Sequence, residues 1–174
     1  MNRQIVLRRH TRGPLSASDL SIVERPVPEP AEGEVLMRTL YIAVDGWIGL
    51  SLAGRHLQGE VELGDVVPGE AVGRVVRSRH PDFAEGDIAR APTGWRDFAV
   101  VRPLAPPAPK GLAAALRPSV SRIQPDPRVP LSAYLGLLGL PGLAAYAGMA
   151  GVLRPGPGET VVVSAIERAV GSAA

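Results

Sequence analysis

Tyr41, Asp45, Trp47 and His56 fall within one short stretch, LYIAVDGWIGLSLAGRHLQGE. A phenol and an indole each give an apolar body with a polar handle, and they flank a carboxylate. Such a set can hold a carbonyl-bearing small molecule, with the Trp47 indole N–H or a protonated His56 stabilising charge on the carbonyl oxygen and Asp45 accepting a proton. Catalysis of that kind needs a flexible substrate held in a reactive shape more than it needs a nucleophile. The same side chains also have plainer readings: Tyr41 as strand packing, Trp47 as a lid on the core, and His56 as a solvated loop histidine. Tyr134 and Tyr146, on a later helical stretch, are further candidates for substrate binding and read equally as core or interface. Trp95, in TGWRDF, reads as structural.

The elements that must position these residues are mostly β. IVLRR, DLSIVER, EVLMRTLYIAV, EAVGRVVRS, GDIARA and DFAVVRP are strand-type runs separated by Pro, Gly or Asp turns, the pattern of a small barrel or sandwich. RPVPEPAEGE places three prolines where a ladder would need donors, so it reads as an extended surface connection. Residues 103–130 are Pro-rich and read as a long loop able to fold over a site. LSAYLGLLGLPGLAAYAGMAGVL is dense in Leu, Ala and Gly, with Pro141 starting a helix after a break at Gly139. GETVVVSA then returns to a β run. The fold class is therefore mainly β with α.

Composition removes several chemistries. The 174 residues contain no cysteine, which excludes disulfides, thiolate nucleophiles and sulfur-ligated zinc. His10, His56 and His80 share no ligand spacing, so no metal is expected. All basic residues but Lys110 are arginine, scattered among acids, and the net charge is only +2, so no nucleic-acid partner is expected. No stretch approaches the roughly 20 apolar residues of a membrane span, and the charged start MNRQIVLRRHTRG lacks a signal peptide's apolar run. A cytoplasmic protein with a small-molecule partner is the resulting expectation.

VERPVPEPAEGEVLMRTLYIAVD, PGEAVGRVVRSRHPDFAEGD, LSAYLGLLGLPGLAAYAGM and RPGPGETVVVSA, in this order, resemble the zinc-independent medium-chain reductases that include leukotriene B4 dehydrogenase and prostaglandin reductase. The resemblance covers nearly the whole chain. It implies a GroES-like irregular β-barrel over residues 1–130, then a helical segment and one residual Rossmann-type strand over 131–174. In the family a full Rossmann domain carries NADPH, which reduces the carbon–carbon double bond of enones. Zinc-dependent relatives place a histidine beside the glutamate of the strand motif, whereas Glu70 follows Pro68 and Gly69.

The departures from the family pattern bear on function. Where the family has the first glycine of its pyrophosphate turn, AIERAVGS places Arg168, next to Glu167, and a side chain there obstructs the backbone approach that glycine permits. The family's Asp-Pro-Tyr-Met-Arg becomes Asp45, Gly46, Trp47, Ile48 and Gly49. Its Gly-Leu-Thr-Ala-Tyr becomes Gly142, Leu143, Ala144, Ala145 and Tyr146, without the hydroxyl near the nicotinamide. The expectation is a truncated relative with no cofactor of its own.

Three functions follow. The first is a ligand-binding protein for an enone or polyketide-like substrate that promotes a cofactor-independent cyclisation or isomerisation. The second is an NADPH-dependent enone reductase whose cofactor domain is missing or supplied in trans. The third is a non-catalytic interaction module. The apolar helical segment further suggests a homodimer formed through it.

Overall fold

The computed structural model describes residues 1–11, 13–54, 61–103 and 119–174. His56 and most of the Pro-rich stretch expected as a loop lie outside the described residues. The chain divides into two compact units, Met1–Gln124 and Pro125–Ala174.

In the first unit, β1 (Asn2–Leu7) pairs antiparallel with β2 (Leu20–Arg25) in a two-stranded sheet. A second, five-stranded antiparallel sheet is built from β3 (Val35–Ile42), β4 (Ala71–Ser78), β5 (Ile88–Ala91), β6 (Phe98–Val101) and β7 (Ser121–Ile123), in the order β6-β3-β4-β5-β7. One short helix, α1 (Gly46–Leu52), follows β3. All six expected strand runs form strands. This is the GroES-like, mainly β architecture that the resemblance implies.

Two features of this unit escaped the sequence reading. The strand β7 sits in the stretch read as a loop, and its signal was the alternation Ser-Val-Ser-Arg-Ile between prolines. The helix α1 was signalled by Ile48 and Leu52, four residues apart and both buried.

The interior of the five-stranded sheet is made narrow by small residues. Ala71, Ala89, Ala91 and Ala99 are buried beside the larger Val35 and Met37. Alternating small and large side chains fill a tapering barrel interior without voids. A second core, Leu7, Ile48, Leu52 and Val67, joins β1 to α1, with Trp47 and Trp95 packed against it.

The edges of the unit are tied by local turn and capping chemistry. Ser16 and Asp19 form a capping box over the single 3-10 turn Ala17–Asp19, and the Asp19 carboxylate also accepts from Arg9. Gly86 takes a positive φ of 96°, and the adjacent Asp87 carboxylate accepts from the Ala84 amide at 2.9 Å. Gly86 and Asp87 thus form one of the Gly and Asp turns expected between the strand runs.

The second unit holds the 3-10 turn Leu131–Leu135, the helix α2 (Leu140–Tyr146) and the π-helical turn Ala147–Leu153. Pro141 lies in the first turn of α2 and Gly139 is its N-cap, matching the break expected there. Leu137, Leu138, Leu143, Tyr146 and Val152 are exposed. One expectation is corrected. The run Thr160–Ala165 forms no strand, and Val162 is 90 % exposed. A strand exists only through hydrogen bonds to a neighbour, and the described residues of this unit offer none. No helix among the described residues is long and apolar enough to cross a membrane.

Gly73 shows how tightly β3 and β4 approach. It pairs with Thr39 beside an irregularity in register, and a Cβ at this position would lie 2.4 Å from the Arg38 carbonyl oxygen and 2.9 Å from Met37 Cγ. Neither neighbour is free to move, because one is backbone and the other core. Gly73→Ala should destabilise the domain by about 1–3 kcal/mol, read as a lower urea midpoint at constant slope. An unchanged midpoint would show that the two strands can separate to admit a methyl group.

Candidate functional site

The candidate site is the junction where β3 leaves the sheet and α1 begins. Val35, Leu36 and Met37 are buried, whereas Leu40, Tyr41 and Ile42 emerge from the core and Val44 is 74 % exposed. Between them Ala43 is buried and clamped. Its amide donates to the Glu70 carbonyl at 2.8 Å, and its carbonyl accepts the Trp95 indole N–H at 3.3 Å. Gly69 makes this clamp possible, since a Cβ there would come within 3.1 Å of the Trp95 indole nitrogen. A pinned residue inside an apolar, outward-facing run gives a rim whose backbone is fixed and whose side chains are free to meet a ligand.

Asp45 is half-buried at the N-cap of α1. Its carbonyl accepts from the Ile48 amide at 3.1 Å, but its carboxylate makes no capping hydrogen bond. The carboxylate is therefore not spent on the end of the helix. Trp47 is half-buried and packs on the Leu7–Ile48–Leu52–Val67 core, while its carbonyl accepts the Ser51 hydroxyl at 3.1 Å. Tyr41 is 47 % exposed at the end of β3.

Tyr41, Asp45 and Trp47 thus share one segment of the first unit. His56 lies outside the described residues. Tyr134 and Tyr146 belong to the second unit, where the Tyr134 hydroxyl accepts from the Asp126 amide at 3.2 Å and Tyr146 is 71 % exposed at the end of α2. Sequence reasoning missed the apolar side chains of the rim, Leu40, Ile42 and Val44. Their signal was the unbroken run LYIAV, which cannot bury both faces at a sheet end.

The clamp continues into the strand that follows Trp95. Arg3 donates to the Asp97 carboxylate from Nε at 2.8 Å and from Nη2 at 3.2 Å. That hydrogen-bonded pairing holds the Asp97 carboxyl below its ordinary value, with partial burial acting in the opposite direction. Glu70, whose backbone holds Ala43, faces Arg90 at 3.9 Å.

A family model describing the N-terminal domain of an oxidoreductase matches residues 3–106. The chain belongs to the zinc-independent medium-chain dehydrogenase/reductase family. Among its relatives, the 2-alkenal reductase (NADP(+)-dependent) of Nicotiana tabacum is 33 % identical over 178 residues, covering 98 % of this chain and 47 % of the relative. Prostaglandin reductase 1 of Bos taurus is 36 % identical over 166 residues, covering 95 % and 45 %. CurA from Vibrio vulnificus superposes with a TM-score of 0.81 at 31 % identity, covering 99 % of this chain and 47 % of that one. The chain spans about half the length of the curated relatives it matches.

A structure of the Vibrio protein in complex with NADPH also matches, and the segment of this chain that resembles the family's pyrophosphate turn is AIERAVGS. The Arg168 amide donates to the Ala165 carbonyl at 2.9 Å, the Ser172 amide to Arg168 at 2.8 Å and the Ala173 amide to Val170 at 3.1 Å. A pyrophosphate needs such amides unspent and converging. The Arg168 side chain faces Glu167 at 3.6 Å instead of an open cradle. Residues 164–174 in this arrangement do not fit the nucleotide's phosphates.

The packing of Trp47 separates two roles that could be confused in mutagenesis. Trp47→Ala should cost about 2–3 kcal/mol of stability, below the 3–5 kcal/mol typical of a fully buried aromatic, measured by urea unfolding. A midpoint equal to that of the unaltered chain would remove Trp47 from the core and leave binding as its only role.

Proposed function

We propose that residues 1–174 form the substrate-side half of an NADPH-dependent reductase of carbon–carbon double bonds conjugated to a carbonyl. The observation that carries this reading is the rim Leu40–Val44, apolar, outward-facing and fixed at Ala43, in a chain matched over nearly its whole length by about half of a 2-alkenal reductase. The names of the relatives supply the substrate class: one acts on 2-alkenals and another on prostaglandins. The nicotinamide nucleotide would be held by residues outside 1–174, and no step through it is derived from this chain.

The chain's own contribution is binding and orientation. Leu40, Ile42 and Val44 would take the hydrocarbon of the substrate out of water, at roughly 25 cal/mol per Å² covered. The Tyr41 hydroxyl would donate to the carbonyl oxygen, which gains negative charge as the double bond is reduced. An ionised Asp45 would repel that charge if it faced the same oxygen, so its place is on a substrate hydroxyl, accepting a hydrogen bond. Cofactor-independent cyclisation would instead require Asp45 to work with an acid across the substrate, and no such pairing supports it among the described residues. The exposed Leu137, Leu138, Leu143 and Tyr146 fit the further proposal that the chain pairs with a second copy through the segment 131–153.

Calorimetric titration of the chain with trans-2-hexenal tests this reading, and the absence of cysteine removes the usual thiol addition to such a probe. Saturable binding is expected, weakened about tenfold in Val44→Asp, whose exposed position leaves folding intact. NADPH should give no saturable binding, and the scattering mass should be that of two chains. Equal hexenal affinity in Val44→Asp would overturn the placement of the wall, one-to-one binding of NADPH would overturn the division of labour, and a monomer at tens of micromolar would overturn the pairing.

A further inference from the structure

Two arginines on one face of the first unit have no acidic partner among the described residues. In the β1–β2 register Asn2 lies opposite Arg25 and Gln4 opposite Val23, and an isolated bridge sets Gln4 opposite Arg96 on the other side of β1. Directly opposed residues of antiparallel strands point to the same face. Asn2, Gln4, Arg25 and Arg96 therefore share one face. The acids of this region are on the other face, where Arg3 lies opposite Glu24 and binds Asp97.

The segregation leaves unpaired polar atoms. Gln4 is only 6 % exposed, yet its Oε1 has no hydrogen-bond partner, and the buried Nε of Arg96 has none either. The Asn2 side chain is already spent, exchanging bonds of 2.9 Å with the Phe98 backbone. The Arg96 guanidinium lies over Gly94, which holds a positive φ of 65° and would bring a Cβ within 3.5 Å of Arg96 Nη2. Burial and the neighbouring Arg25 charge both act against the charged form of Arg96, and no carboxylate among the described residues offsets them. None of the ion pairs among the described residues involves Arg25 or Arg96. A half-buried guanidinium facing a like charge costs free energy unless something of opposite charge completes it.

We infer that the face bearing Gln4, Arg25 and Arg96 is a binding site for a phosphate dianion, free or carried as a monoester on a small molecule. Two guanidiniums balance a double negative charge and present planar donor forks that match phosphate oxygens. The Gln4 amide supplies a neutral contact beside them, with its NH2 turned to the anion once one is present. A carboxylate would neutralise one arginine and leave the other opposed. This site is formed by β1, β2 and residues 94–96 and does not depend on the reductase reading.

The test is a titration of the full chain in a phosphate-free buffer at fixed ionic strength, with inorganic phosphate, glycerol 3-phosphate and acetate as probes. Saturable binding of either phosphate probe is expected, with acetate at least about tenfold weaker. Tighter binding of glycerol 3-phosphate would assign the site to a monoester, and equal binding to free phosphate. Arg25→Gln, at an exposed position, should weaken phosphate about tenfold, and Arg96→Lys, which keeps the charge but loses the fork, should also weaken it. Arg79→Gln, an exposed arginine elsewhere, should change nothing. Acetate binding as well as phosphate, or phosphate affinity indifferent to Arg25→Gln and Arg96→Lys, would overturn the site.

Discussion

The insertion of β1 between β2 and two irregular segments of the barrel domain is the constraint on which the rest of the first unit depends. The Ile5 amide donates to the Trp95 carbonyl and its carbonyl accepts from the Val67 amide, both at 2.9 Å, while the Leu7 amide donates to Asp65 at 2.9 Å. Neither the 64–67 segment nor the 94–97 segment pairs regularly elsewhere, so this strand at the start of the chain satisfies their backbone groups. Through Trp95 the same ladder reaches Ala43 and fixes the end of β3. The candidate wall is thus held from far along the chain, through the Trp95 indole N–H on the Ala43 carbonyl and the Glu70 carbonyl that accepts the Ala43 amide.

Both faces of β1 are used, and they divide the chemistry. Ile5 and Leu7 turn into the core that carries α1 and Trp47, whereas Asn2, Gln4 and Val6 are buried on the opposite side. The alternation along Trp95, Arg96 and Asp97 repeats this division: an indole to the clamp, a guanidinium to the face without acids, and a carboxylate to Arg3. An ion pair as exposed as Arg3–Asp97 contributes little stability by itself. Which face each of the three side chains takes is set by the backbone ladder, in which the Ile5 amide donates to Trp95 and the Asp97 amide to Arg3.

Much of the fold was legible because its strands are separated by residues with strong turn chemistry. Gly86 with Asp87 marks such a boundary by a mechanism local to a few residues. Pro141 and Gly139 did the same for α2. The strand expected at Thr160–Ala165 failed for the complementary reason: its apolar composition records a preference for a sheet, but a strand is a property of a pair, and composition cannot supply the partner. The site was legible only as residue types. Tyr41, Asp45 and Trp47 stood out as chemical groups, yet whether an apolar neighbour such as Val44 faces the core or solvent depends on the clamp at Ala43, which rests on contacts with Glu70 and Trp95 far along the chain. The unpaired arginines were hidden likewise, since an overall balance of charges says nothing of which face each one takes.

The central claim is that the junction of β3 and α1 is the wall that meets substrate. The most direct measurement is amide chemical-shift mapping of the ¹⁵N-labelled chain during addition of trans-2-hexenal. The account predicts shifts concentrated on residues 40–48 and on the Trp95 indole, whose hydrogen bond to Ala43 would register any displacement of the rim. Shifts confined to the segment 131–153, with residues 40–48 and the indole unmoved, would contradict it.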